Sequence, residues 1–253
     1  MLAMEVAILS ERGGRPYNED ACGHWHSKRH LACVLADGAG GHGGGDVASR
    51  LAVQNLLAAV QAHPDDCGEQ LPQLVRQTNQ AILDQRRAGT RSADMHSTVV
   101  CLVVDFIEHR AYWAHAGDSR LYWFRNGRLN GRTLDHSLVQ DLVEVGLVDA
   151  ANLRHHPRRS ELRSALGTQP DELDVSASPG PAEVAAGDCF LLCSDGLWEN
   201  LDDRDLEATL ASAPAPGAWL DALRRHVTAA TAGKPGYDNF SAMALWLSHP
   251  NHF

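Results

Sequence analysis

No two cysteines of this 253-residue chain stand in a CxxC spacing; the six present (Cys22, Cys33, Cys67, Cys101, Cys189, Cys193) are scattered. That argues against a zinc site and against a disulfide frame. Cys33, Cys101, Cys189 and Cys193 sit in apolar runs and read as small buried hydrophobes of a reducing compartment. Long apolar stretches are missing as well: Val99–Val104 and Phe190–Cys193 fall far short of the ~20 residues of a membrane span. Met1–Glu5 contains no basic segment leading into a long apolar one, so no secretory signal is expected and the expected location is cytoplasmic. Positive charge is scarce: 22 Lys and Arg face 32 Asp and Glu, a net charge of −10. Nucleic acid and anionic membrane are therefore poor partners, and an anionic substrate would need metal ions to draw it in. There is no repeat of fixed period and no Pro- or Gly/Ser-rich linker, so a single domain over 1–253 is expected.

Hydrophobic residues make up 44% of the chain and charged residues 21%, enough to bury a sizeable core. Leu31–Ala36, Thr98–Val104 and Cys189–Cys193 are short apolar runs that predict buried strands. Ala111–Ala116, Leu121–Phe124 and Ser241–Leu247 add further strands, and Asn126-Gly127 predicts a hairpin turn into a strand near Leu129. Val53, Leu56, Leu57 and Val60 recur at helical spacing between Asp46 and His63. Leu71, Leu74, Val75 and Ile82 mark a second helix that gives way to the polar stretch Arg86–Asp94. Weaker helical patterns cover Ser137–Val145, Asp203–Ala211 and Trp219–Ala230. Strands that follow one another through tight turns imply antiparallel sheets with flanking helices, an α+β fold. The basic, polar stretch Gln140–Glu161 predicts a surface flap over about 140–161.

Three apolar strands run directly into an aspartate beside a glycine, at Asp37-Gly38, Gly117-Asp118 and Asp195-Gly196. Asp238 precedes the last strand, and Glu19-Asp20 follows Arg15. A lone Asp-Gly is usually a turn or a cap. Several strand-end aspartates in one domain would instead converge at one rim, where like charges repel unless protonated or joined by a cation. Oxygen-only ligands suit Mg²⁺ or Mn²⁺, and a pair of such ions suits hydrolysis of a phosphoryl group.

The motifs themselves resemble the metal-dependent protein phosphatase 2C family. Arg15-Pro-Tyr-Asn-Glu19-Asp20 resembles its RxxNED opening, and the segment from Asp37 to Ser49 its bacterial DGMGGHxxGExAS loop. Gly117-Asp118-Ser119-Arg120-Leu121-Tyr122, Thr133–Val139, Arg163–Gly167, Leu192–Trp198 and Gly236–Ser241 match further motifs in the family's order. The resemblance implies a four-layer α-β-β-α sandwich of two antiparallel sheets, and hydrolysis of phosphoserine and phosphothreonine by direct attack of a metal-bridging water. It implies two or three Mn²⁺ or Mg²⁺ ions. Asp37 would bridge two of them, the Gly38 carbonyl would ligate one, and Asp195 and Asp238 would ligate the other. Asp118 would serve a third ion, Arg15 would bind phosphate, and Glu19, Asp20 and Asn239 would act through water or behind the ligands. Ala39 stands where eukaryotic members carry a histidine offered as general acid, which leaves His42 and His136 as proton-donor candidates or as loop braces. The partners implied are phosphoproteins of a cognate Ser/Thr kinase, and some bacterial members act in type VI secretion control. Two other readings stand beside this one, a non-catalytic phosphoprotein-binding module and another two-metal hydrolase such as a nuclease.

Overall fold

A strand that is apolar on both faces needs a covering layer on each side, and the central strands of this chain are of that kind. A computed structural model describes residues 2–40, 44–88 and 95–250. In chain order it contains β1 (Ala3–Glu11), β2 (Asp20–His26), β3 (His30–Ala39), α1 (Gly45–Ala62), α2 (Cys67–Ala88), β4 (His96–Ser97), β5 (Val99–Asp105) and β6 (Arg110–Ala116). There follow β7 (Arg120–Arg125), β8 (Arg128–Arg132), α3 (Leu138–Glu144), a 3₁₀ turn (Ala150–His155), β9 (Ser176–Ala177) and β10 (Ala182–Glu183). The chain closes with β11 (Asp188–Cys193), α4 (Asp195–Trp198), α5 (Asp203–Ser212), α6 (Pro216–Ala230) and β12 (Phe240–Ser248).

One sheet has the order β1-β12-β11-β7-β8; the other runs β10-β6-β5-β3-β2, with β4 on β3 and β9 on β6. Pairing within both is antiparallel. Alternation along each strand sorts its side chains into layers. Leu31, Cys33 and Leu35 of β3 meet Phe190, Leu192, Met243 and Leu245 between the sheets. Ala32, Val34 and Ala36 face the opposite way, into a cluster with Ala52, Leu56, Val75 and Ile82 of α1 and α2. Leu191, Cys193, Ala242 and Ala244 pack outward against Leu206, Trp219, Leu223 and Val227 of α5 and α6. The result is the α-β-β-α order of layers.

Asn126 (φ 52°) and Gly127 (φ 73°) both adopt left-handed backbone between β7 and β8, the conformation an Asn-Gly hairpin favours. Edge strands β1 and β2 are additions to the sequence reading; their residues are mostly half-buried and show no clean alternation. Helix α2 continues to Ala88, beyond the start of the polar stretch at Arg86. The segment 140–161 is anchored: Val139 and Leu153 are buried in the cluster beneath α5 and α6, while Val145 (70% exposed) and Leu147 (74%) face solvent. All six cysteines are free thiols.

Candidate active site

Antiparallel pairing carries the strand-end acids to one rim of the sandwich. Asp37 in β3 lies opposite Asp20 in β2. Asp195 opens α4 directly after β11, Asp238 precedes β12, and Asp118 lies between β6 and β7. A cavity of about 340 Å³ is lined by Arg15, Glu19, Asp37, Gly38, Asp118, Asp195, Asp238 and Asn239, with Thr98 between them. Ser160, near the end of the 140–161 segment, and Leu162, just after it, also line the cavity.

The backbone of this rim is crowded. A Cβ on Gly38 would stand 2.2 Å from the Gly45 carbonyl oxygen and 2.7 Å from that of Glu19, so only glycine lets the β3 end pass under α1. Gly117 takes φ +103° to turn the chain from β6 toward Asp118, and a Cβ there would meet Thr98 at 2.7 Å. Asp37 is fixed through its main chain: its N–H donates to Thr98 Oγ1 (3.1 Å), and its carbonyl accepts from Thr98 N (2.8 Å) and Ser97 Oγ (3.0 Å). Thr98 Oγ1 lies 2.7 Å from Ser119 Oγ, joining the supports of Asp37 and Asp118. Asn239 ties three segments together. Its side-chain oxygen accepts from Glu19 N (2.9 Å), its amide donates to the carbonyls of Arg12 (2.6 Å) and Tyr17 (3.0 Å), and its N–H donates to Asp238 Oδ1 (2.9 Å). Arg15 donates to Asp238 Oδ2 at 2.8 Å from one terminal nitrogen.

Asp118 rests on a buried assembly that the sequence alone did not single out. Arg120 makes a two-pronged pair with Asp135, both bonds 2.7 Å, and its guanidinium lies 3.5 Å over the ring centre of Trp198. The Trp198 Nε1–H donates to the Asp118 carbonyl at 2.9 Å. The motif spacing from Arg120 to Asp135 and Trp198 was visible in the chain, but their mutual contact was not.

Electrostatically the rim is strained toward protonation. Burial, followed by the charges of Asp20, Asp195 and Asp118, raises Asp37 well above the usual carboxylate range. Burial, then Asp118 and Asp238, does the same to Asp195. Asp118 is pushed up to about 7 by burial and the neighbouring Asp135, and Asp20 to about 6 by burial. Glu19 is raised by burial and by Asp46. Glu19 Oε1, Asp20 Oδ1 and Asp195 Oδ1 are buried without a hydrogen-bond partner. Orphaned carboxylate oxygens that repel one another fit hard divalent cations, which would both neutralise and ligate them. Among the described residues no three His, Cys, Asp or Glu side chains form a ready-made chelate. The acids ring an open cavity, so the Gly38 carbonyl and water would have to complete any coordination sphere.

Other singled-out residues fall outside the cavity wall. Asp20 is tucked behind it, accepting from Ser194 Oγ at 2.9 Å. His136 braces the turn before Asp118: its Nδ1 accepts from Gly117 N (3.3 Å), its Nε2 lies 2.8 Å from Ser176 Oγ, and its ring stacks on His115 at 4.6 Å. Burial and His115 lower its pKa to about 4, which leaves it neutral near pH 7. His42 lies outside the described residues.

Comparison with known proteins points the same way. The family model described as protein phosphatase 2C matches residues 11–230. The serine/threonine protein phosphatase PstP of Mycobacterium tuberculosis is 36% identical over 212 residues, 81% of this chain but only 38% of PstP. The chain thus spans well under half the length of that relative. The serine/threonine phosphatase stp of Listeria monocytogenes is 31% identical over 216 residues, covering 83% of this chain and 84% of stp. The crystal structure of PstP superimposes with a TM-score of 0.81 at 31% identity, over 98% of this chain and 100% of that one. The PstP catalytic domain in complex with two manganese ions gives 0.78 at 30% identity, over 98% and 100%. PppA of Pseudomonas aeruginosa, described as a key regulatory component of T6SS, gives 0.74 at 31% identity, over 96% and 97%.

Proposed function

The chain belongs to the protein phosphatase 2C family, and from that footing we propose that it is a metal-dependent protein phosphatase acting on phosphoserine and phosphothreonine. The observation that carries this reading is the convergence of Asp37, Asp118, Asp195, Asp238 and Glu19 with Arg15 around one cavity. We assign Asp37, the Gly38 carbonyl, Asp195 and Asp238 as ligands of two divalent ions, manganese or magnesium, and Asp118, together with Asp195, as ligands of a third. When bound, such ions supply Lewis acidity and positive charge for phosphomonoester hydrolysis.

The chain's own residues do the rest. Arg15 holds Asp238 with one nitrogen, which leaves the remainder of its fork to meet phosphate oxygens at the mouth, where its side chain is half exposed. Glu19 in the wall and Asp20 behind it would hold metal-bound water or complete the second ion's site. Asn239 keeps Asp238 and the Arg12–Glu19 segment in fixed relation. No thiol is suited to a covalent route: burial pushes Cys33 and Cys101 up to about 12, and none of the six cysteines lines the cavity. The retained acids favour catalysis over a non-catalytic phosphoprotein reader. The substrates we assign are phosphoproteins of a Ser/Thr kinase, with the likeness to PppA supporting a place in T6SS regulation, and we assign the whole of 1–253 to one catalytic domain working in the cytoplasm. Among the described residues no helix is long and apolar enough to cross a membrane.

The test is hydrolysis of p-nitrophenyl phosphate and of a phosphothreonine peptide with Mn²⁺ and with EDTA. Release of phosphate from both, abolished by EDTA, is the expected outcome. Binding of the peptide without turnover would replace this reading with the non-catalytic one.

A further inference from the structure

The arginines of the basic 140–161 stretch are already engaged. Arg158 pairs with Glu161 (2.6 Å), Arg159 donates to Glu199 (2.9 Å), and Arg154 donates to the Leu201 carbonyl. Uncommitted positive charge lies outside that segment. There a groove of about 730 Å³ runs between the end of β1 and the outer face of α6, and its wall includes Arg12, Arg224 and Arg225 with Glu11 as the one acid. Among the described residues neither Arg12 nor Arg225 pairs with a carboxylate. Arg12 reaches only the Pro16 carbonyl, at 3.4 Å. Arg224 is held by Asp221 (3.1 Å) and loosely by Glu11 (3.8 Å). Against a chain of net charge −10, this is a local reversal of sign.

The groove and the active-site cavity are separate, but the same two chain segments contribute to the walls of both. Arg12, Gly13, Tyr237 and Phe240 line the groove, while Arg15, Asp238 and Asn239 of the same two segments line the cavity. The two segments are locked together: Gly14 N donates to the Tyr237 carbonyl (2.9 Å), Asn239 donates to the Arg12 carbonyl (2.6 Å), and a Cβ on Gly13 would lie 2.1 Å from the Asp238 carbonyl oxygen. Arg12 therefore stands at a set position relative to Asp238. Small residues on α6 and just after it (Thr228, Ala229, Ala232) keep the channel open.

We propose that this groove is a docking subsite for acidic residues flanking the phosphorylated side chain of a protein substrate. The proposal rests on the phosphatase reading and deepens it by naming the substrate class. An Asp/Glu-rich flank lying over Arg12 and Arg225 would bring the phosphoresidue to Arg15 in the same binding event, which lowers KM more than it raises kcat. Exposed pairs of this kind are individually weak, so the preference should be modest and sensitive to salt.

Three phosphothreonine peptides of equal length decide it: one flanked by Gln, one with Asp and Glu on the N-terminal side, one with them on the C-terminal side. One acidic peptide should exceed the Gln peptide by about three- to tenfold in kcat/KM, chiefly through KM, and lose the advantage near 0.5 M salt. Arg225→Glu should abolish that preference and reverse it for a peptide carrying Lys at the same positions, which a merely structural residue would not do. Equal kcat/KM for all three peptides, or an undiminished acidic preference in Arg225→Glu, overturns the groove while p-nitrophenyl phosphate hydrolysis leaves the phosphatase reading standing. No Mn²⁺-dependent hydrolysis of any substrate overturns both.

Discussion

Asp37 owes its position to its backbone, held by Thr98 and Ser97, and its carboxylate is buried among the charges of Asp20, Asp195 and Asp118. Replacing that carboxylate by an amide should therefore leave the frame intact. Asp37→Asn is expected to lose about 100-fold or more of Mn²⁺-dependent turnover while its far-ultraviolet spectrum stays that of the parent. In EDTA the variant should melt above the parent, because one member of a mutually repelling group has become neutral. Near-parental turnover in saturating Mn²⁺, measured beside the melting curves, would remove Asp37 from the ligand set. Asp118 is positioned differently, through Arg120, Asp135 and Trp198, so changes to that buried trio should act on the site only through the turn they support.

The 140–161 segment combines a secure root with an exposed tip. Leu153 is 4% exposed within the outer cluster, and Val139 is fully buried, whereas Val145 and Leu147 lie in solvent. Its far end delivers Ser160 to the cavity wall, with Leu162 just beyond it. Truncating the root should free the whole segment before it unsettles the sheets. Leu153→Ala is expected to cost about 2–4 kcal/mol locally, with hydrogen exchange rising first across 140–161 and phosphopeptide turnover falling more than p-nitrophenyl phosphate turnover. Uniform acceleration of exchange across both sheets would show that Leu153 supports the global fold instead. The hairpin at Asn126-Gly127 is the contrasting element, specified by two left-handed residues and needing no distant partner.

Summed over the molecule, the raised carboxylates make stability depend on pH and metal together. Without metal, Asp118 titrates near 7 in the folded chain and Asp20 near 6, with Asp37 and Asp195 well above their unfolded values. The folded state then binds more protons than the unfolded one, so this contribution is present at low pH and is lost as pH rises through the folded values. His136, held down to about 4, acts in the opposite sense below its unfolded value near 6.5. Between about pH 6.5 and 8 the carboxylates govern. In EDTA the melting temperature should fall over that interval, and Mn²⁺ at about 100 times its Kd should restore about 2.7 kcal/mol per ion, most visibly at pH 8. Calorimetry checks both; a metal-free melting temperature that climbs from pH 6.5 to 8 would contradict the crowded-carboxylate account.

The layered architecture was legible because β3, β5, β11 and β12 are apolar on both faces, a pattern that demands cover on each side whatever the rest of the chain does. The acids were legible for a related reason: strands ending in Asp37, Asp118 and Asp195 leave little else for those side chains to be but rim residues. Edge strands β1 and β2 escaped notice, since half-burial erases the alternation that marks a strand. Contacts between residues far apart in the chain were beyond any local pattern. Only folding places Asn239 on the carbonyls of Arg12 and Tyr17, spends Arg159 on Glu199, and leaves Arg12 beside Arg225 in one groove. Hydrophobic pattern is a property of neighbours in sequence, whereas charge pairing and its absence depend on which side chains the packed layers bring within a few ångströms.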